Sequence, residues 1–137
     1  MTISALTIAS EELVDGEEVK ISEKVFPLEV DLQKTVFNVG DRLMCNASIA
    51  NNAGRDVFVV SNGYMPGFFF YDINYPIDPA FTMMWAGRTL KANDTMTRAI
   101  DFTIVEPPGT YVLEVLYRLE VDGIELTDKL ETIIEVK

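Results

Sequence analysis

The chain has 137 residues, 48% of them hydrophobic and 10% aromatic, with one cysteine and no histidine. That length and composition suit a single domain with its own core and exclude a disordered chain. Eleven basic against 22 acidic residues leave a net charge of -11, which argues against nucleic acid or an anionic membrane as partner.

The missing histidine removes Ser-His and Cys-His nucleophile pairs and the commonest zinc ligand. No metal site, cofactor or catalytic residue is assigned, because no carboxylate pair or ligand spacing rises above the acidic background. Cys45 lies in an alternating run with Leu43, Ala47 and Ile49 and reads as a small core residue. The N-terminus carries no basic region followed by an apolar one, and no run reaches the length of a membrane span. Direct membrane insertion is therefore not expected.

Residues 1–24 read as an acidic lead-in or edge strand. Glu11, Glu12, Asp15, Glu17, Glu18 and Glu23 outnumber Lys20 and Lys24 there. Leu28, Val30 and Leu32 alternate with Glu29 and Asp31, the period of a half-buried strand. The turn Phe37-Asn38-Val39-Gly40-Asp41 leads into a strand over Leu43–Ile49. Asn51-Asn52-Ala53-Gly54 forms the next turn, and Val57–Ser61 the strand after it. Following a long middle segment, Ile100, Phe102 and Ile104 alternate again.

The last thirty residues read as one β-hairpin. Pro107-Pro108-Gly109-Thr110 is a turn, and apolar side chains then recur at Tyr111, Leu113, Val115, Tyr117, Leu119 and Val121. Asp122-Gly123 is the signature of a two-residue type I′ turn. It predicts Val121 opposite Ile124, Leu119 opposite Leu126 and Val115 opposite Leu130, which puts both apolar rows on one face. Glu114/Glu131 and Glu120/Glu125 would then face each other on the other side, and such like charges disfavour covering it.

Seven or so short strands with turns between them predict an all-β fold, an antiparallel β-sandwich. The turn at 37–41, Asn51 and Gly54, and Pro108-Gly109-Thr110-Tyr111 at the opening of a late strand resemble prokaryotic immunoglobulin-like or fibronectin-like modules. The resemblance covers residues 25–137 and implies an immunoglobulin-like sandwich in which the Tyr111 hydroxyl ties a corner. It also implies an extracytoplasmic or cell-surface setting, whereas a native start at Met1 would fit the cytoplasm. The Cys…Trp…Cys pattern of antibody domains is absent. A fainter similarity, through Trp85, runs to the BsuPI-type intracellular proteinase inhibitors. Another, through Gly109-Thr110-Tyr111, runs to the sugar-binding C-terminal domain of O-antigen ABC transporters.

The segment 57–86 is the compositional anomaly, with nine of the 14 aromatics and only Asp72 and Asp78 as charges. Phe58, Phe68, Phe70 and Trp85 read as core plugs. Strand alternation sends Phe69 and Tyr71 to the face opposite Phe68 and Phe70, so one pair must point outward. Tyr64, Met65, Phe69, Tyr71, Tyr75 and Trp85 are the candidate binding residues, since tyrosine, tryptophan and methionine are enriched where proteins meet. The expected function is a non-enzymatic interaction or spacer module. It would bind a protein partner, a neighbouring domain or a second copy through this aromatic segment. The alternatives are a proteinase inhibitor acting through residues 64–79, or a carbohydrate-binding module stacking sugars on Tyr64, Tyr71, Tyr75 or Trp85.

Overall fold

The computed structural model describes residues 2–4, 25–61, 65–77 and 86–137. These form an all-β structure of ten strands in two sheets, numbered here in chain order. One sheet runs β1 (Thr2–Ser4), β2 (Leu28–Leu32), β4 (Arg42–Ala50), β8 (Thr95–Thr103), with every neighbouring pair antiparallel. The other runs β3 (Val36–Phe37), β10 (Ile124–Val136), β9 (Gly109–Val121), β5 (Val57–Ser61), β7 (Ala86–Leu90). Strand β6 (Gly67–Asp72) lies on the same edge of β9 as β5, beside its first half, while β5 takes the other end.

Alternation decides which side chains build the core. In β2 the apolar Leu28, Val30 and Leu32 are buried while Glu29 and Asp31 face solvent. Strand β4 repeats this with Leu43, Cys45, Ala47 and Ile49. From the opposing sheet, β9 supplies Tyr111, Leu113, Val115, Tyr117, Leu119 and Val121 to the same cluster. Each such aliphatic side chain contributes roughly 1.5–3 kcal/mol by leaving water.

The chain crosses between sheets at residues 33–35. Val36 and Phe37 then pair with Glu135 and Val136 of β10, the one parallel contact among the described residues. The Gly40 amide bonds the Ile104 carbonyl at 2.8 Å and takes a φ of +95°, which a side chain would resist.

The final hairpin has the predicted register. Val121 lies opposite Ile124, Leu119 opposite Leu126, Val115 opposite Leu130, and Glu114 opposite Glu131. Asp122 and Gly123 take φ values of 51° and 84°, as a type I′ turn requires. The Tyr111 hydroxyl donates to the Pro107 carbonyl at 2.7 Å, pinning the turn that opens β9.

Two polar groups stitch the layers. The Tyr117 hydroxyl donates to the Phe26 carbonyl at 3.0 Å, joining β9 to the start of β2. Asn51 is fully buried, and its amide donates to the carbonyls of Arg55, Leu90 and Lys91 within 3.1 Å. Its side-chain oxygen accepts from the Ala53 amide at 2.9 Å.

Three expectations need correction. Among the described residues ten strands are present instead of about seven, because β1 and β3 are too short to show a period. The middle segment adds β6 and β7, whose four adjacent aromatics and mostly polar run hide the alternation. Phe58 is no core plug: Val57 and Val59 take the inward positions of β5, which leaves Phe58 53% exposed against Gly87. On the outer face of the hairpin, β10 leaves Glu125, Thr127, Lys129 and Glu131 exposed, but the β9 half is covered. Val112, Glu114 and Leu116 are buried there although they point away from the core.

Candidate functional site

The outer face of the second sheet is where the aromatic segment and the last hairpin meet. Phe68 and Phe70 sit opposite Val115 and Leu113, so they share the inward face. Phe70 stacks on Tyr111 at 5.2 Å between ring centres and tilts against Phe102 at 5.4 Å. Phe69 and Tyr71 sit opposite Glu114 and Val112 on the outward face, as alternation demands. Pointing outward does not leave Tyr71 exposed; it is buried, while Phe69 is half-buried and packs against the core cluster.

The Tyr71 hydroxyl donates to Glu114 Oε1 at 3.2 Å. Burial raises the Tyr71 pKa above its usual 10.0, and the Glu114 and Glu131 carboxylates add to the rise, so both negative groups bear on one hydroxyl. Glu114 itself is only 4% exposed. Glu131 stands across from it, with the Lys129 ammonium 3.4 Å away on the solvent side. These groups line an open groove of about 670 Å³ that Pro76, Ile77 and Leu116 close with apolar surface.

One wall of this groove belongs to a built turn. The Asn74 amide donates to Asp72 Oδ1 at 2.8 Å, and the Tyr75 amide to the Asp72 carbonyl at 2.9 Å. The Ile73 amide bonds the Thr110 carbonyl at 3.1 Å, extending the β6–β9 ladder by one step. So held, the turn presents Ile73, Tyr75 and Ile77 to solvent, and Tyr75 is 75% exposed.

Of the six candidate binding residues, the structure brings Phe69 and Tyr71 onto one face and sets Tyr75 at its rim. Met65 is buried, its sulfur accepting the Arg118 amide at 3.4 Å, so it props the sheet. Tyr64 and Trp85 lie outside the described residues. Within the stretch 64–79, Gly67–Asp72 is strand β6, committed to β9 by its ladder. Replacing Phe69 and Tyr71 with serine would thus disturb packing as well as any contact. Glu114 went unrecognised as a site residue. Its signal was present in Val112-Leu113-Glu114-Val115-Leu116, where apolar residues occupy both faces of one strand.

Elsewhere, burial pushes the Cys45 thiol up to about 11, with the Asp31 charge adding to it, which makes the thiol unreactive. Among the described residues no three carboxylate or cysteine side chains gather as a metal site would need, and no helix is long and apolar enough to cross a membrane.

No family model and no curated protein matches the sequence. Solved structures show weak likenesses. A β-glucosidase from Erythrobacter marinus is 14% identical with a TM-score of 0.44, covering 79% of this chain and 15% of its own. An alkylpurine DNA glycosylase, AlkC, from Pseudomonas fluorescens is 16% identical with a TM-score of 0.43, covering 80% of this chain and 30% of its own. A Listeria innocua β-glucosidase is 15% identical with a TM-score of 0.38, covering 81% and 16%. The chain thus spans less than a third of each of these proteins.

Proposed function

We propose that this chain is a non-enzymatic protein-interaction module with an immunoglobulin-like or fibronectin-like sandwich, and that it binds through the outer face of its second sheet. The fold part of the reading is supported by strand order. Strands β2, β4 and β8 correspond to A, B and E of such domains, and β5, β9 and β10 to C, F and G. The Tyr111 hydroxyl bonded four residues back to Pro107 is the corner those domains share.

The observation that carries the binding part is the turn after β6. It holds Ile73, Tyr75 and Ile77 in solvent with hydrogen bonds already made, beside a groove with an apolar wall. A preformed apolar turn loses little freedom on binding, so its contacts convert into affinity with small ordering cost. The proteinase-inhibitor reading is weakened, since Gly67–Asp72 of the 64–79 stretch is strand β6, paired along β9.

Panning a peptide library on the immobilised chain tests the reading. Selected peptides should protect the amides of residues 73–77 from hydrogen exchange and lose binding to Tyr75→Ser. Peptides that instead map to the polar outer face of the first sheet, around Asn46 and Thr97, would overturn it.

A further inference from the structure

We propose that the groove on the outer face of the second sheet receives an arginine side chain of a partner protein, held by Glu114 and Glu131 beside Tyr71. This rests on the interaction-module reading and specifies what that surface takes.

Glu114 is buried at a cost. A carboxylate withdrawn from water is unfavourable unless a cation and hydrogen bonds replace its hydration. Glu114 is 4% exposed, yet among the described residues it has one hydrogen bond, from the Tyr71 hydroxyl to Oε1, and no ion pair. A neutral hydroxyl does not balance a charge, and the carboxylate across the ladder, Glu131, is negative too, with Lys129 beside it on the solvent side. The Glu114 carboxylate lines the groove, so a ligand can reach it.

Among the described residues no cation of this chain pairs with Glu114. Arg42, Arg55 and Arg118 are paired with Asp101, Asp122 and Glu125, and Arg98 lies over Phe68 and donates to the Pro66 carbonyl. Lys129 reaches Glu131 from the exposed side at 3.4 Å, without pairing with Glu114. The net charge of -11 favours approach of a basic partner.

Guanidinium fits better than ammonium. Its planar fork can bond Glu114 and Glu131 together, and its face can lie on the Tyr71 ring. Its apolar stem would run along Ile77, Pro76 and Leu116, surfaces that a compact charge would leave dry and unused.

The test is an NMR titration of the labelled full chain with acetyl-Ala-Arg-Ala-amide and with its citrulline counterpart, a neutral isostere. The arginine peptide should shift the Glu114 and Glu131 carboxyl carbons and the Leu116 methyls saturably. The citrulline peptide should bind about tenfold more weakly or worse, and Glu131→Gln, at an exposed position, should weaken the arginine peptide similarly. Equal binding of the two peptides, or shifts confined to other carboxylates, would overturn the proposal. In the free protein Glu114→Gln should leave the melting temperature unchanged or raise it. A clear fall would mean the carboxylate is already paired within the chain, which also sinks the idea. If library-selected apolar peptides still perturb residues 73–77 while the arginine peptide leaves Glu114 unmoved, this inference fails and the interaction surface stands. If neither perturbs that face, both fail.

Discussion

Asn51 and Glu114 are the most deeply buried polar side chains among the described residues, and the fold treats them in opposite ways. Asn51 meets three carbonyls with its amide and one backbone amide with its oxygen, so its hydrogen-bonding capacity is spent inside the protein. Glu114 has a single partner among the described residues, although as a carboxylate it can accept several bonds and carries charge. The first is a stitch between the turns that follow β4 and β7. The second keeps capacity in reserve at the edge of a groove. A buried polar group with all its partners speaks for stability, and one with capacity left over speaks for a ligand.

Substitution can break the comparison. Asn51→Leu should be the most damaging single change here, costing about 3 kcal/mol because it strips the donor from three carbonyls in a closed site. Urea denaturation reads this directly. A cost below that of an ordinary surface change would mean water enters the turn and Asn51 is no stitch. Tyr71→Phe removes the hydrogen bond between Tyr71 and Glu114 and should cost about 2 kcal/mol, since bonds to charged groups are the stronger kind. Measured in a Glu114→Gln background the cost should shrink, and an unchanged cost would show that charge is not what the hydroxyl serves.

Tyr117→Phe should cost about 1 kcal/mol, the net worth of an ordinary buried hydrogen bond, here the one to Phe26. It calibrates the other two.

The smallest expected effect is in acid. The Asn38 amide, with help from Lys34, holds the Asp41 pKa below its usual 3.8, and the Arg55 guanidinium does the same for Asp122. A carboxylate depressed in the folded state contributes stability that is present above its ordinary pKa and lost as pH falls through the lowered one. Stability should therefore decline from about pH 5 downward, with Arg55→Gln flattening part of that slope. Both carboxylates are exposed, so salt should weaken the effect. An acid limb indifferent to salt and to Arg55→Gln would place the titrating groups elsewhere.

Much of the frame was legible because its signals are local. The Asp122-Gly123 turn and the period-two rows of β9 and β10 specify each other, so every predicted cross-strand pair has its counterpart in the structure. Leu28 to Leu32 and Leu43 to Ile49 announced their burial the same way. The Tyr111 hydroxyl, four residues on from Pro107, bonds its carbonyl at 2.7 Å.

The candidate site was legible only in part. Alternation alone put Phe69 and Tyr71 on one face and Phe68 and Phe70 on the other. Alternation could not say that β6 would dock on β9, that Tyr71 would be covered, or that its hydroxyl would meet Glu114 forty-three residues away. Like charges at Glu114 and Glu131 predict an open face; the structure leaves it open along β10 and closes it around Glu114 on β9.

By itself the sequence determined the all-β class, the turns, and the inward row of each periodic strand, because strand period and turn conformation are properties of neighbouring residues. Only the tertiary structure decided which sheet β6 and β7 join, that Phe58 faces water, and that an acidic side chain is buried beside a groove. Those outcomes depend on which surfaces arrive opposite one another, and burial belongs to the pair of surfaces that meet, not to either one.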